Sequence, residues 1–153
     1  MKSPTKPRGI KNNNPLNIRR SKSRWKGLKA IQTDKAFCQF EKEAFGWRAA
    51  FYLLCYTYYK VWGCCTVRDI ISRWAPNNEN DTEAYIKRVC ELTKIKPSEK
   101  LGHPTETADS WLKLGWAMAI VENGEAAVLA YLHGVDQLEG FKMAMDSCYP
   151  EGR

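Results

Sequence analysis

From residue 43 onward, the apolar residues of this chain recur at helical spacing, and this pattern constrains the fold more than any other feature. The first such segment extends to about Lys60, and its apolar residues are Phe45, Ala49, Tyr52, Leu53, Tyr56 and Tyr59. Further helices are predicted to begin near residues 66, 80, 107, 125 and 135, because Gly, Pro and Asn residues separate the apolar runs. With 153 residues, the chain has the length of one domain with its own core.

The segment before residue 43 lacks this spacing and contains short extended stretches instead. These are residues 16–19, 28–32 and 36–41, and Phe37 and Phe40 are the apolar anchors of the last one. We therefore predict an α+β fold, in which a mainly helical domain carries a small, irregular antiparallel β element near the N-terminus. The predicted organisation is a flexible basic arm over residues 1–8, one domain over residues 9–147 and a tail over residues 148–153.

Positive charge is concentrated near the N-terminus. Residues 1–33 contain ten Lys and Arg and no acid, whereas the rest of the chain has three more acids than bases. Such a distribution favours a polyanionic partner. Nucleic acid, anionic lipid and anionic cell-wall polymers all fit that description, and charge alone does not choose among them.

Composition also disfavours several classes of protein. The longest apolar run, residues 49–59, is shorter than the about 20 residues that a membrane-spanning helix needs. No apolar stretch follows the charged first residues, so we expect synthesis in the cytoplasm without a secretory signal peptide. The six Cys are predicted to be thiols, and neither His103 nor His133 has a ligand-like partner in the sequence. We therefore predict no metal and no cofactor.

Glu122 is the strongest candidate for a catalytic residue. It follows an apolar stretch, residues 116–121, and precedes Asn123 and Gly124. Apolar surroundings and the negative end of a helix dipole both disfavour the ionised carboxylate, and Gly124 opens the backbone to a ligand. A carboxyl group that stays protonated near neutral pH is what a general acid requires. The alternative is a solvated Glu at a helix end.

Two polar segments are candidates for substrate binding. The first is a cluster of amides that would bind sugar hydroxyl and N-acetyl groups, or would simply form a turn: Asn12, Asn13, Asn14 and Asn17. In the second segment, Trp74 would stack on a sugar face and Tyr85 would hydrogen-bond a carboxyl group or the substrate, unless both are core aromatics. Glu41 or Glu43 would be the second carboxylate of a glycosidase pair, or an ordinary acid at a helix start.

Residues 9–19 read G-I-K-N-N-N-P-L-N-I-R and resemble the G-I-R-N-N-N-P-G-N-I-R opening of small phage and prophage proteins. Later segments fit the same proteins in order: W-K-G at 25–27, F-C-Q-F at 37–40, G-W-R-A at 46–49, T-V-R-D-I-I-S-R-W-A-P at 66–76, N-D-T-E-A-Y-I at 80–86 and V-E-N-G at 121–124. Leu16 departs from the pattern, which usually has Gly at that position. These proteins are described as phage structural proteins or lysozyme-like cell-wall hydrolases.

A more distant similarity implies a mechanism. In soluble lytic transglycosylases and flagellar-type N-acetylglucosaminidases, a helix ends in the catalytic Glu, and a loop with Asn and a helix with Tyr follow it. Glu122, the segment 14–18 and Tyr85 resemble these elements, although Glu122 lies near the C-terminal end. The resemblance thus implies a circularly permuted lysozyme-like domain in which Glu122 lies near the asparagine cluster and Tyr85.

Together, these resemblances imply a phage or prophage enzyme that cleaves β-1,4 glycosidic bonds in the glycan strands of peptidoglycan. It would be a muramidase or a glucosaminidase, acting by hydrolysis or by transglycosylation, and it would be virion-associated or released to the cell wall. The alternative is a non-enzymatic virion protein that contacts other virion proteins and binds nucleic acid through its basic arm.

Overall fold

The computed structural model describes residues 3–78 and 80–152, which surround one apolar core. Residues 1 and 2 of the predicted arm and residue 153 of the predicted tail therefore lie outside the described residues. Residue 79, between Trp74 and Tyr85, also lies outside them. In chain order the elements are α1 (Arg8–Lys11), α2 (Glu43–Tyr52), a π-helical segment (Leu53–Val61), α3 (Val67–Trp74), α4 (Thr82–Thr93), α5 (Ala108–Asn123), α6 (Glu125–Tyr131) and α7 (Gly134–Cys148).

From α2 onward the helices lie where the apolar spacing predicts them, and local hydrogen bonds set their ends. The short helix α1 was not predicted, and the first predicted helix is α-helical to Tyr52 and π-helical over Leu53–Val61. The Thr66 hydroxyl accepts a hydrogen bond from the Asp69 backbone N–H at 3.1 Å and caps α3. The Asp81 carboxylate caps α4 by accepting from the Ala84 N–H at 3.0 Å, so this helix begins slightly later than predicted. Lys94 ends α4 in the left-handed conformation, with φ of 62°.

The predicted antiparallel β element is wrong. In the described part of the chain there is no strand and no sheet, so the fold is helical and not α+β. The three extended stretches do come together, but only at isolated antiparallel bridges that join Arg19 to Phe37 and Leu28 to Phe40. The correct part of the prediction is that these stretches are neighbours, and the incorrect part is that their backbones form a continuous ladder.

Side-chain amides explain why no ladder forms, because they occupy the backbone groups that a sheet would use. The Asn14 amide accepts from the Ile18 N–H at 2.9 Å and donates to the carbonyls of Ile18 and Cys38 at 3.0 and 2.9 Å. The Gln32 amide binds both the N–H and the C=O of Gln39, each at 2.8 Å. These bonds satisfy buried backbone groups without a neighbouring strand.

The central packing contact joins α2 to α7, while α5 lies against α4 and α6. Gly140 permits the close approach of α7, because a Cβ at this position would lie 2.4 Å from Cβ of Trp47 and 2.6 Å from the Ala44 carbonyl oxygen. Trp47 is fully buried and stacks on Phe51 and Trp116, with ring centroids 5.7 and 6.0 Å apart. This aromatic layer fixes the position of α5, which carries Glu122 at its end.

None of the helices in residues 3–78 and 80–152 combines the length and the apolar character needed to cross a membrane. All six Cys are free thiols. Cys55 packs in the core as a small apolar side chain, and this burial raises the pKa of its thiol well above the ordinary value.

Glu43 connects the start of α2 to the start of α7. Its Oε2 accepts hydrogen bonds from the Trp47 indole N–H at 2.9 Å and from the His133 backbone N–H at 3.0 Å. Its Oε1 lies 2.9 Å from His133 Nδ1, and the Asp136 carboxylate lies 3.5 Å from the same nitrogen. The ligand atoms of Glu43, His133 and Asp136 lie within 4.8 Å of one another, which is also a spacing that a metal ion accepts. Hydrogen bonds and ion pairs among these residues account for all of these contacts.

The stability of the protein is expected to decrease as the pH rises through the pKa of His133. The hydrogen bond to Glu43 and the charges of Glu43 and Asp136 raise this pKa above its ordinary value of about 6.5, so the folded state binds the proton more tightly than the unfolded chain does. The stabilisation is complete below about pH 6.5. Urea unfolding at pH values below and above the pKa of His133 should show that the free energy of unfolding depends less on pH for His133→Gln than for the wild type. An equal pH dependence of the free energy of unfolding in both proteins would contradict this role of His133.

Candidate active site around Glu122

Glu122 meets side chains from two distant parts of the chain. It lies half-buried in the last turn of α5, and Gly124, the residue that follows this helix, has φ of 91°. Its Oε1 accepts a hydrogen bond from Asn17 Nδ2 at 3.1 Å, and its Oε2 accepts one from the Tyr85 hydroxyl at 3.0 Å. The two partners are 105 and 37 residues away in the sequence. Both carboxylate oxygens are thereby held in place by polar donors.

The asparagine loop, residues 12–17, is shaped so that Asn17 reaches Glu122. Asn13 and Asn17 both adopt the left-handed conformation, with φ of 52° and 53°, which Asn tolerates better than most residues. The Asn13 carbonyl packs against Gly46 of α2, where a Cβ would lie 1.9 Å from the oxygen. On the other side, the Asn123 amide donates to the Pro15 carbonyl at 2.8 Å and ties the end of α5 to the loop.

Gly9 lies at the junction between the loop and α5. A Cβ at this position would lie 2.7 Å from Asn17 Oδ1 and 2.5 Å from Asn123 Oδ1, so no side chain fits there. Neither amide oxygen has a hydrogen-bond partner among the described residues. This orientation directs the two Nδ2 groups at Glu122 and Pro15, whereas the reverse orientation would set an amide oxygen against the carboxylate.

The other three asparagines of the cluster bond within the loop and its neighbours. Asn12 donates to Asp34 at 3.0 Å, and this bond, with two backbone N–H groups, lowers the pKa of Asp34 to about 2. Asn13 donates to the Phe40 carbonyl at 3.1 Å, and Asn14 is completely buried. Of the four asparagines predicted to bind substrate, the structure thus brings Asn17 to Glu122, while the other three hold the loop in shape.

Tyr85 presents its hydroxyl from α4. The side chain is buried, with 7% of its surface exposed. Burial raises the pKa of Tyr85 well above its ordinary value, and the charge of Glu122 and the hydrogen bond to it raise it further. The hydroxyl therefore stays neutral and remains a hydrogen-bond donor to the carboxylate.

A cleft of about 740 Å³ opens beside Glu122. Its aromatic wall residues are Trp25, Phe37, Tyr58 and Trp74, and its polar ones are Asn17, Arg19, Ser21, Ser23, Asn80 and Glu122. Trp74 packs against Tyr58, with ring centroids 5.8 Å apart. The indole N–H of Trp25 is buried without a hydrogen-bond partner in the described structure. The described lining of the cleft thus combines ring faces, hydroxyls and amides with one acid, Glu122.

The two candidates for a second carboxylate lie elsewhere. Glu41 is exposed, and both oxygens of Glu43 are engaged with Trp47 and His133. Among the described residues that line the cleft, Glu122 is the one acid. The described residues of the site therefore present one carboxylate between two donors and not a carboxylate pair.

Sequence reasoning did not include four residues that shape this site. Asn123 positions the loop, and Arg19, Trp25 and Tyr58 line the cleft. Two of the motifs contained usable signals, since Asn123 is part of V-E-N-G and Trp25 is part of W-K-G. Tyr58 carried no separate signal, because it belongs to a helical apolar pattern that also describes core residues.

No family model matches the chain. It is 38% identical over 120 residues to Protein P5 of Pseudoalteromonas phage PM2, and the alignment covers 76% of this chain and 71% of that protein. The predicted link to phage proteins is confirmed by this relative. With this identity and coverage, the chain belongs to the family of Protein P5 of phage PM2.

Proposed function

We propose that this protein cleaves β-1,4 glycosidic bonds in peptidoglycan and that Glu122 is the catalytic acid. The observation that supports this most directly is the placement of Glu122 in the cleft between Asn17 and Tyr85. A glycosidase needs a carboxyl group held at a substrate groove, and amide and hydroxyl donors fix its orientation. The phage relative fits an enzyme that acts on the host cell wall, either from the virion or after release.

The first chemical step is proton transfer from Glu122 to the glycosidic oxygen. As the C1–O bond breaks, the leaving sugar keeps the proton, and positive charge develops on C1 and the ring oxygen. Glu122 becomes a carboxylate, and the donors Asn17 and Tyr85 stabilise that form. Before this step the proton would occupy a lone-pair site of the carboxyl group that faces the cleft, since each oxygen accepts one hydrogen bond and has a second site.

The second step then uses the same carboxylate as a base. In a hydrolase it would take a proton from a water molecule whose oxygen bonds to C1, which gives a reducing end. In a transglycosylase it would take the proton of the substrate's own 6-hydroxyl, whose oxygen bonds to C1 and closes a 1,6-anhydro ring. The single acid among the described cleft residues supports the second route, because an internal nucleophile requires no second carboxylate.

The aromatic wall of the cleft would bind the sugar rings. Trp74 and Tyr58 lie side by side, and Trp25 lines the same cleft. Sugar rings stack on such faces through their C–H groups, while Ser21 and Asn80 offer hydrogen bonds to hydroxyl and N-acetyl groups. A volume of about 740 Å³ is within the range of ligand sites.

Digestion of purified peptidoglycan tests the proposal. The full chain should release soluble fragments from sacculi, and mass spectrometry of these fragments would distinguish the routes. Anhydro ends are lighter by one water molecule than reducing ends, and the terminal sugar separates a muramidase from a glucosaminidase. Intact sacculi after prolonged incubation with folded protein would overturn the proposal.

Tyr85→Phe is expected to lower the cleavage rate about 10- to 100-fold, because Glu122 loses one of its two donors while the ring is retained. The free energy of unfolding should decrease by about 1 kcal/mol, because a hydrogen bond is lost. Tyr131→Phe is the matched control, since that hydroxyl bonds the Pro4 carbonyl and does not line the cleft. Initial rates of dye release from labelled sacculi measure the effect, and equal rates for both variants would contradict it.

The charge distribution favours a second candidate, a non-enzymatic virion protein that binds nucleic acid. All the excess positive charge lies in residues 1–33. Deletion of residues 1–11 and salt titration of DNA binding would test this alternative, since phosphate contacts weaken steeply with salt. Salt-dependent DNA binding together with intact sacculi would favour it over the enzyme.

A further inference from the structure

Arg19 places a positive charge in the wall of the same cleft. Its backbone is paired with Phe37 by an antiparallel bridge, and its guanidinium carbon lies 5.1 Å from the centre of the Phe37 ring. A guanidinium stacked on a ring keeps its N–H groups free at the edge. Among the described residues, no carboxylate lies within ion-pair distance of Arg19, so these donors are available to a ligand.

The surroundings of Arg19 strengthen its attraction for an anion. The segment 19–29 adds five further cations and contains no acid. The acid that lines the cleft, Glu122, has both oxygens occupied by Asn17 and Tyr85. A neutral sugar polymer has no negative charge to complement these cations, whereas a ligand with a carboxylate beside the scissile bond would complement them.

We propose that Arg19 determines specificity by binding a carboxylate of the acidic sugar unit of the substrate, so that the cleft prefers peptidoglycan to uncharged N-acetylglucosamine polymers. This inference rests on the proposed function. Every second sugar of peptidoglycan carries an ether-linked lactyl group, with a free carboxylate or an acidic peptide attached. The planar fork of a guanidinium matches a carboxylate with two parallel hydrogen bonds. Sugar stacking would set the register along the cleft, and Arg19 would then select the sugar that carries the acid.

Two ligands of equal backbone length test this assignment. Chitohexaose is uncharged, and a six-sugar fragment of peptidoglycan carries carboxylates on alternate units. In the full chain carrying Glu122→Gln, which prevents cleavage, calorimetry should show tighter binding of the acidic fragment. Addition of Arg19→Gln should weaken binding of that fragment about tenfold and leave chitohexaose binding within about twofold.

Arg20→Gln is the matched control, because Arg20 donates to the Asp34 carbonyl at 3.1 Å and does not line the cleft. Equal weakening by Arg19→Gln and Arg20→Gln would overturn the inference, since it would show only a general charge effect. Equal weakening of both ligands would also overturn it, because it would indicate a structural role for Arg19.

The failure of this inference is distinguishable from the failure of the proposed function. A wild-type protein that cleaves sacculi, together with an Arg19→Gln variant that keeps its preference for the acidic fragment, would overturn the inference alone. A wild-type protein that leaves sacculi intact and binds neither glycan would overturn both. Tighter binding of a single-stranded oligonucleotide than of either glycan, lost in Arg19→Gln, would assign the site to nucleic acid and overturn the glycan assignment.

Discussion

Glu122→Gln should reduce peptidoglycan cleavage at least about 1,000-fold while leaving the fold intact. Glutamine has the shape of glutamate, so its carbonyl would still accept from Asn17 and its NH₂ group would donate to the oxygen of Tyr85. The amide has no proton to transfer to the glycosidic oxygen, and it cannot act as a base in the second step. Dye release from labelled sacculi measures the rate, and thermal unfolding checks the fold.

Glu125→Gln is the matched control for this experiment. Glu125 lies three residues further along the chain, is exposed at the start of α6 and makes only a surface ion pair with Arg88 at 3.9 Å. Such a pair contributes little, so both activity and stability should remain close to those of the wild type. Full activity in Glu122→Gln would remove the catalytic role, and equal loss in both variants would indicate a general effect of charge.

Gly46→Ala should destabilise the protein by about 2–3 kcal/mol, although alanine normally favours a helix over glycine by about 1 kcal/mol. The added Cβ would lie 1.9 Å from the Asn13 carbonyl oxygen and 2.9 Å from Cδ of Pro15. Because these atoms belong to backbone and a proline ring, the asparagine loop must move away from α2. That displacement would withdraw Asn17 from Glu122, so cleavage should fall together with stability. Urea unfolding and sacculus digestion measure the two effects.

Gly134→Ala supplies the comparison. Gly134 is the first residue of α7, and a Cβ there would meet no atom within 4 Å. In this open position alanine should be neutral or stabilise the protein by up to about 1 kcal/mol. If Gly46→Ala behaved in the same way, the close packing of the loop on α2 would be disproved.

Local patterns predicted the helices from residue 43 onward, because each of them is determined largely by its own apolar spacing and caps. Thr66 caps α3 as its sequence indicates, since the bond to Asp69 spans only three residues. The extended stretches before residue 43 were less informative. Their backbone groups bond to the side chains of Asn14 and Gln32, and a strand pattern does not reveal such partners.

The candidate site was predictable only in part. The meeting of Glu122 with Asn17 and Tyr85 follows from the resemblance to known enzymes, because no local pattern predicts a contact across 105 residues. Composition made all four asparagines of the cluster equal candidates. The structure separates them by their hydrogen-bond partners, because Asn17 donates to Glu122 while the other three donate to Asp34 or to backbone carbonyls, and sequence spacing does not report such partners.

The separation of Asn17 from Glu122 along the chain has a consequence for biosynthesis. The ribosome makes the asparagine loop more than a hundred residues before the acid, so the two cannot meet until Glu122 has been synthesised. A polypeptide terminated before codon 122 would lack the acid altogether. Such prematurely released products would contain the whole asparagine loop but not the proposed catalytic acid.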